Sequence, residues 1–94
     1  MAQPNFVPKF SNFKAKVFDS FKRQGLMSTL GAEIHLVEAG AVDISLSAGS
    51  VVGQQHGYVH GGAITSIADS AAGYAALSLL PEEKEVLTLS LIHI

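Results

Sequence analysis

Residues 61–80, GGAITSIADSAAGYAALSLL, constrain the fold more than any other stretch of this chain. The run holds no Lys, Arg or Glu and one carboxylate, Asp69, and it stops at Pro81 and the acidic loop PEEKE. Its length and composition predict a single helix over 61–80. At 100° per residue, Ile64, Ala68, Ala71, Ala75 and Leu79 make one stripe, flanked by Ile67 and Ala72. Ser66, Ser70, Gly73 and Leu77 lie opposite. Such a helix is expected to be buried nearly all round, and its small side chains let neighbouring backbone come close. The stretch approaches membrane-spanning length. Asp69, Thr65 and three serines argue against insertion, so no membrane is expected as a partner.

A helix of that kind needs a sheet to cover it, and the preceding residues supply strands. In TLGAEIHLVEAGAVDISLSAG, Ala32, Ile34 and Leu36 alternate with Glu33, His35 and Val37. Val42, Ile44 and Leu46 alternate with Asp43, Ser45 and Ser47. Period two with one apolar face predicts strands over 30–38 and 41–48, joined at Ala39-Gly40 by a tight hairpin turn. Upstream, Phe10, Phe13, Val17 and Phe21 stand three and four apart, the stripe of an amphipathic helix over 10–24 that Gly25 ends. Downstream, the apolar run VLTLSLIHI predicts a strand over 86–94. The class is α+β: helix, two strands, buried helix, strand. The 94 residues make one domain at most.

Composition removes several classes of function. There is no cysteine, which excludes disulfide scaffolds, Cys-ligated zinc and thiol catalysis. A formal net charge of −2 argues against general nucleic-acid binding. The first 25 residues do carry Lys9, Lys14, Lys16, Lys22 and Arg23 against Asp19 alone, a solvated face or an attraction for an anionic ligand. His56 and His60 are four apart but precede a Gly-Gly helix start without a third ligand, so no metal is expected. The N-terminus has no apolar core of signal-peptide length, and a cytoplasmic protein is the default expectation.

Asp is a poor helix former and costly to bury, so Asp69 calls for a partner or a task. Gly61-Gly62 would leave backbone N–H groups at the positive end of the helix dipole, open to close approach by a ligand oxygen. An oxyanion donor and a carboxylate are the two parts that ester or thioester hydrolysis needs. The competing reading is a tight strand-to-helix turn at His60-Gly61-Gly62, with Asp69 bonded to some backbone N–H.

The pattern Gln54-x-x-Gly57-x-x-His60-Gly61-Gly62, with seven residues to Asp69, resembles the hotdog-fold acyl-CoA thioesterases of the PaaI-like type. The resemblance runs from about Thr29 to Thr88. It implies a hotdog fold, an antiparallel sheet wrapped around a long central helix, with two subunits pairing to build each site. It further implies that Asp69 is the base or nucleophile and that the Gly61 N–H polarises the thioester carbonyl. Gln54 would position substrate or water, and Thr88 would help to hold the water. His60, Gly62 and Tyr58 would shape the substrate site, although packing is the plainer role for Tyr58 and for Tyr74. Gln54 and Gly61 would face Asp69 across a homodimer or homotetramer. No cofactor is implied.

The family carries further strands after the one at 86–94, and those strands usually bear CoA-binding residues. The expectation is therefore an incomplete hotdog domain over 1–94 with its C-terminal strands missing. The run Ser90-Leu91-Ile92-His93-Ile94 also departs from the family's polar pattern and is expected not to be a native continuation. The expected function is hydrolysis of an acyl- or aryl-CoA thioester to free acid and CoA. The alternative is a non-catalytic acyl-CoA-binding or structural hotdog subunit.

Overall fold

The computed structural model describes residues 6–88. Within them the chain runs α1 (Phe13–Lys22), α2 (Gly25–Leu30), β1 (Glu33–Glu38), β2 (Ala41–Ser45), a 3-10 turn (Ser50–Val52) and α3 (Gly61–Leu77). β1 and β2 form an antiparallel two-stranded sheet, and α3 lies along β2. The class is α+β, with one long helix set against antiparallel strands.

The N-terminal helix is shorter than its apolar stripe suggested, because Phe10 precedes it and packs on the core from outside. Gly25 does not end the helical region. Gln24 turns extended (φ −81°, ψ 105°) and breaks the helix, and Gly25 then opens α2. The second helix buries Met27 and closes on Gly31 in the left-handed region (φ 70°), where glycine carries no Cβ penalty.

The hairpin turns at Ala39-Gly40 as expected, with Gly40 at φ 79°. The strict alternation of faces does not hold. Ile34 pairs with Ile44 but Leu36 pairs with Asp43, so His35 is an extra residue in a β-bulge. The bulge changes the phase of β1. Ile34 and Val37 both join the core, and Leu36, expected inside, is exposed.

The long helix ends at Leu77 rather than Leu80, with a turn at Ser78-Leu79 and a bend at Leu80 before Pro81. Its buried residues are Ala63, Tyr74 and Leu77, not the expected stripe, and Ile64 is half exposed. The bulkiest side chains decide the orientation, since Tyr74 and Leu77 bury far more apolar area than alanines. They close the core with Phe13, Val17 and Val37. Ile64, Ile67, Ala68 and Ala71 instead line a shallow groove beside Val42 and Ile44. Among the described residues the helix is therefore covered on one side rather than all round.

One polar tie joins hairpin to helix. The Gly40 N–H donates to Ser78 Oγ at 2.8 Å, and Ser78 Oγ–H donates to the Ala75 carbonyl at 2.6 Å. Ser78 is fully buried, so both bonds form away from water. Residues 86–88, the start of the last expected strand, pair with no strand among the described residues. The rest of that strand, 89–94, lies outside the described residues.

Candidate active site

The loop before α3 is built backbone first. Gly53 and Val59 form an antiparallel bridge, Gln54 N–H donates to the Tyr58 carbonyl at 2.8 Å, and His60 N–H donates to the Val52 carbonyl at 2.7 Å. Gly57 takes a positive φ of 84° to close the turn. Gln54 is thus held on a short ribbon, and its side-chain Oε1 accepts the His56 N–H. Tyr58, whose plainer role was packing, is mostly exposed and lies beside Gln54 on the outer surface of this ribbon.

His60 is the N-cap of α3. Its Nδ1 accepts the Gly62 N–H at 2.8 Å, and its carbonyl takes the N–H groups of Ala63 and Ile64. A Cβ at Gly62 would stand 3.0 Å from that Nδ1, so glycine is what lets the ring fold back over the helix end. Of the groups at this helix start, the Gly61 N–H has no acceptor among the described residues. Nothing lies within 4 Å of the place a Gly61 Cβ would occupy. A backbone donor at the positive end of a helix therefore stands open.

Asp69 follows eight residues later, about 12 Å along the helix axis at 1.5 Å per residue. It is half-buried, and its Oδ1 accepts the Thr88 hydroxyl at 2.6 Å. Within one chain, then, Asp69 and Thr88 come together. Gln54 and Tyr58 lie on the ribbon before α3, and His60, Gly61 and Gly62 at its start; none of them hydrogen-bonds Asp69 among the described residues.

Asp69 and Thr88 border a cavity of about 280 Å³ between α1, α3 and the segment 85–88. Its inner end is closed by Tyr74 and Leu77, both buried. There the Tyr74 hydroxyl accepts from Gln24 Nε2 at 2.6 Å and shares a hydrogen bond with Ser20 Oγ at 3.0 Å. Ser70 Oγ–H donates to Gln24 Oε1 at 3.2 Å. Phe21 meets the Tyr74 ring edge-on, with centroids 6.4 Å apart. Asp69 and Glu85 are the charged residues of the lining, both anionic.

The segment that delivers Thr88 is fastened to α1 by Lys16. Its Nζ donates to the carbonyls of Glu82 at 2.5 Å and Lys84 at 2.7 Å, and sits 3.5 Å from Glu85 Oε1. The ammonium also lies 5.8 Å from the centre of the Phe10 ring.

Ser20, Gln24, Ser70 and Lys16 escaped sequence reasoning. One signal pointed to the first three. Tyr74 is a phenol in a helix of small side chains, and a buried hydroxyl needs a partner. No pattern in the sequence pairs Lys16 with a turn 66 residues away.

The family described as the Thioesterase superfamily matches residues 56–93, a span that holds both Gly61 and Asp69. A 1,4-dihydroxy-2-naphthoyl-CoA hydrolase of Listeria monocytogenes serotype 1/2a (strain 10403S) is 42% identical over 60 residues, 63% of this chain and 49% of that protein. The crystal structure of a thioesterase family protein from Silicibacter pomeroyi superposes with a TM-score of 0.80 at 45% identity. It covers 83% of this chain and 57% of its own. The chain thus spans about half the length of the relatives it matches.

Proposed function

From a chain that fits the hotdog-fold thioesterase family, we propose an acyl-CoA thioesterase of the PaaI-like type, cleaving an acyl- or aryl-CoA thioester to free acid and CoA. The observation that carries the reading is the Thr88–Asp69 hydrogen bond beside a cavity of about 280 Å³. A cavity of about 150 Å³ already takes a benzene ring.

In the proposed reaction the Asp69 carboxylate takes a proton from water, and the oxygen of that water adds to the thioester carbon. Negative charge moves to the carbonyl oxygen, which a Gly61 N–H stabilises. The C–S bond then breaks, and the departing CoA thiolate recovers the proton from Asp69. In the nucleophilic variant the carboxylate itself adds to the thioester carbon, and the C–S bond breaks to release CoA thiolate and leave an Asp69 acyl anhydride. Water then hydrolyses the anhydride to free acid and the restored carboxylate, the proton released in that hydrolysis going to the thiolate. Thr88 holds the Asp69 oxygen and orients it. Gln54 positions water or substrate, and His60, Gly62 and Tyr58 shape the entrance.

The intrachain distance from Gly61 to Asp69 supports a site shared between two copies, with Gln54 and Gly61 reaching Asp69 of the other. A homodimer or homotetramer is therefore part of the proposal, as is a cytoplasmic setting. No helix among the described residues is long and apolar enough to cross a membrane.

The test is thiol release from aliphatic and aryl acyl-CoAs by the chain and its Asp69→Ala variant. The expected loss is about 10²–10⁴-fold in kcat, the range for a positioned acid or base. Equal turnover in both proteins would overturn the role of Asp69. Tight acyl-CoA binding without turnover would instead indicate a binding subunit.

A further inference from the structure

We infer that Gln24, at the junction of α1 and α2, is a specificity-determining residue that reads the far end of the acyl group. This rests on the thioesterase reading for the location of the thioester carbon, beside Asp69. Tyr74 follows Asp69 by five residues, about 7.5 Å along the helix. Both residues line the same cavity of about 280 Å³, which has room for an aromatic ring. At that depth the cavity presents the Gln24 carboxamide with Ser20, Ser70 and the Tyr74 hydroxyl.

The hydrogen-bond inventory favours a neutral polar group over the alternatives. One Gln24 N–H goes to Tyr74 and one Oε1 lone pair to Ser70. Among the described residues no hydrogen bond uses the carboxamide's second N–H or second lone pair, which gives Gln24 the capacity to donate and accept at once. A hydroxyl or carbonyl uses that pair of functions, whereas a plain hydrocarbon end would cover polar groups without replacing their hydrogen bonds. A carboxylate end would enter a cavity whose charged lining residues, Asp69 and Glu85, share its sign, with no cation in the lining among the described residues. The fixed partners matter as much as Gln24 itself. Tyr74 is buried and held edge-on by Phe21, so the carboxamide is oriented before the ligand arrives.

Two CoA thioethers that cannot be hydrolysed, S-phenacyl-CoA and S-(4-hydroxyphenacyl)-CoA, test the assignment by calorimetry on the whole chain. The hydroxylated compound is expected to bind about tenfold more tightly, the worth of one good neutral hydrogen bond. Gln24→Leu and Tyr74→Phe should each bring the ratio of the two affinities towards one. A ratio is insensitive to the fraction of protein folded, and Tyr74→Phe removes a single oxygen. Equal affinities in the unsubstituted protein, or a preference that survives in both variants, would overturn the inference. Hydroxyl-dependent binding without hydrolysis of 4-hydroxybenzoyl-CoA would remove the thioesterase reading and leave the role of Gln24 standing. Hydrolysis without any preference would do the reverse.

Discussion

Thr88 donates its hydroxyl hydrogen to Asp69, and that direction has a consequence at the scale of single residues. The bond fixes one carboxylate oxygen and leaves the other to face water or substrate. Thr88→Val keeps the shape and removes the donor. We expect kcat to fall about tenfold to a hundredfold with little change in KM, because the carboxylate is less well aimed in the transition state while ground-state binding is untouched. A change confined to KM would place Thr88 in substrate binding instead. Asp69 and the glycines of the helix start were legible in the sequence because each breaks a local rule: a carboxylate in an apolar helix, and two glycines where a helix begins. Gln24 was not legible. A glutamine at the end of an amphipathic helix violates nothing, and only the fold brings it to Tyr74, 50 residues away.

At the scale of elements, α1 does more than cover the core. Lys16 reaches from it to two carbonyls of the turn after α3, and so sets where the chain emerges towards Thr88. Lys16→Met retains most of the aliphatic stem and removes the donors. It should lower stability by about 1–2 kcal/mol, given charged hydrogen bonds that are partly open to solvent. It should also reduce kcat in the unsubstituted background and much less in a Thr88→Val background. Fully additive losses in that double-mutant cycle would show that Lys16 acts apart from Thr88. Most elements could be read from periodicity, yet two details could not. The bulge at His35 reverses the phase of β1 halfway along, and no alternation rule sees an inserted residue. The buried face of α3 differs from the expected stripe because the three alanines at its centre, Ala68, Ala71 and Ala75, make a weaker claim on the core than Tyr74 and Leu77.

At the scale of the whole molecule, α3 carries at its first residue an N–H with no acceptor among the described residues, and a carboxylate eight residues on. A rigid rod keeps them about 12 Å apart, so on the proposed reading neither copy owns a complete site. The two functions then behave as separable genetic units. Gly61→Pro removes the donor at a position where a helix accepts proline readily, and it leaves Asp69 untouched. Asp69→Ala removes the carboxylate and leaves the donor. Each variant alone should be inactive, yet mixing the two after subunit exchange should restore turnover, since every hybrid pair contains one site with both parts intact. Restoration approaching a quarter of the original rate is expected at equal amounts and random exchange, about half the pairs being hybrid with one working site of two. No recovery, with exchange verified by mass spectrometry, would mean that each chain works for itself.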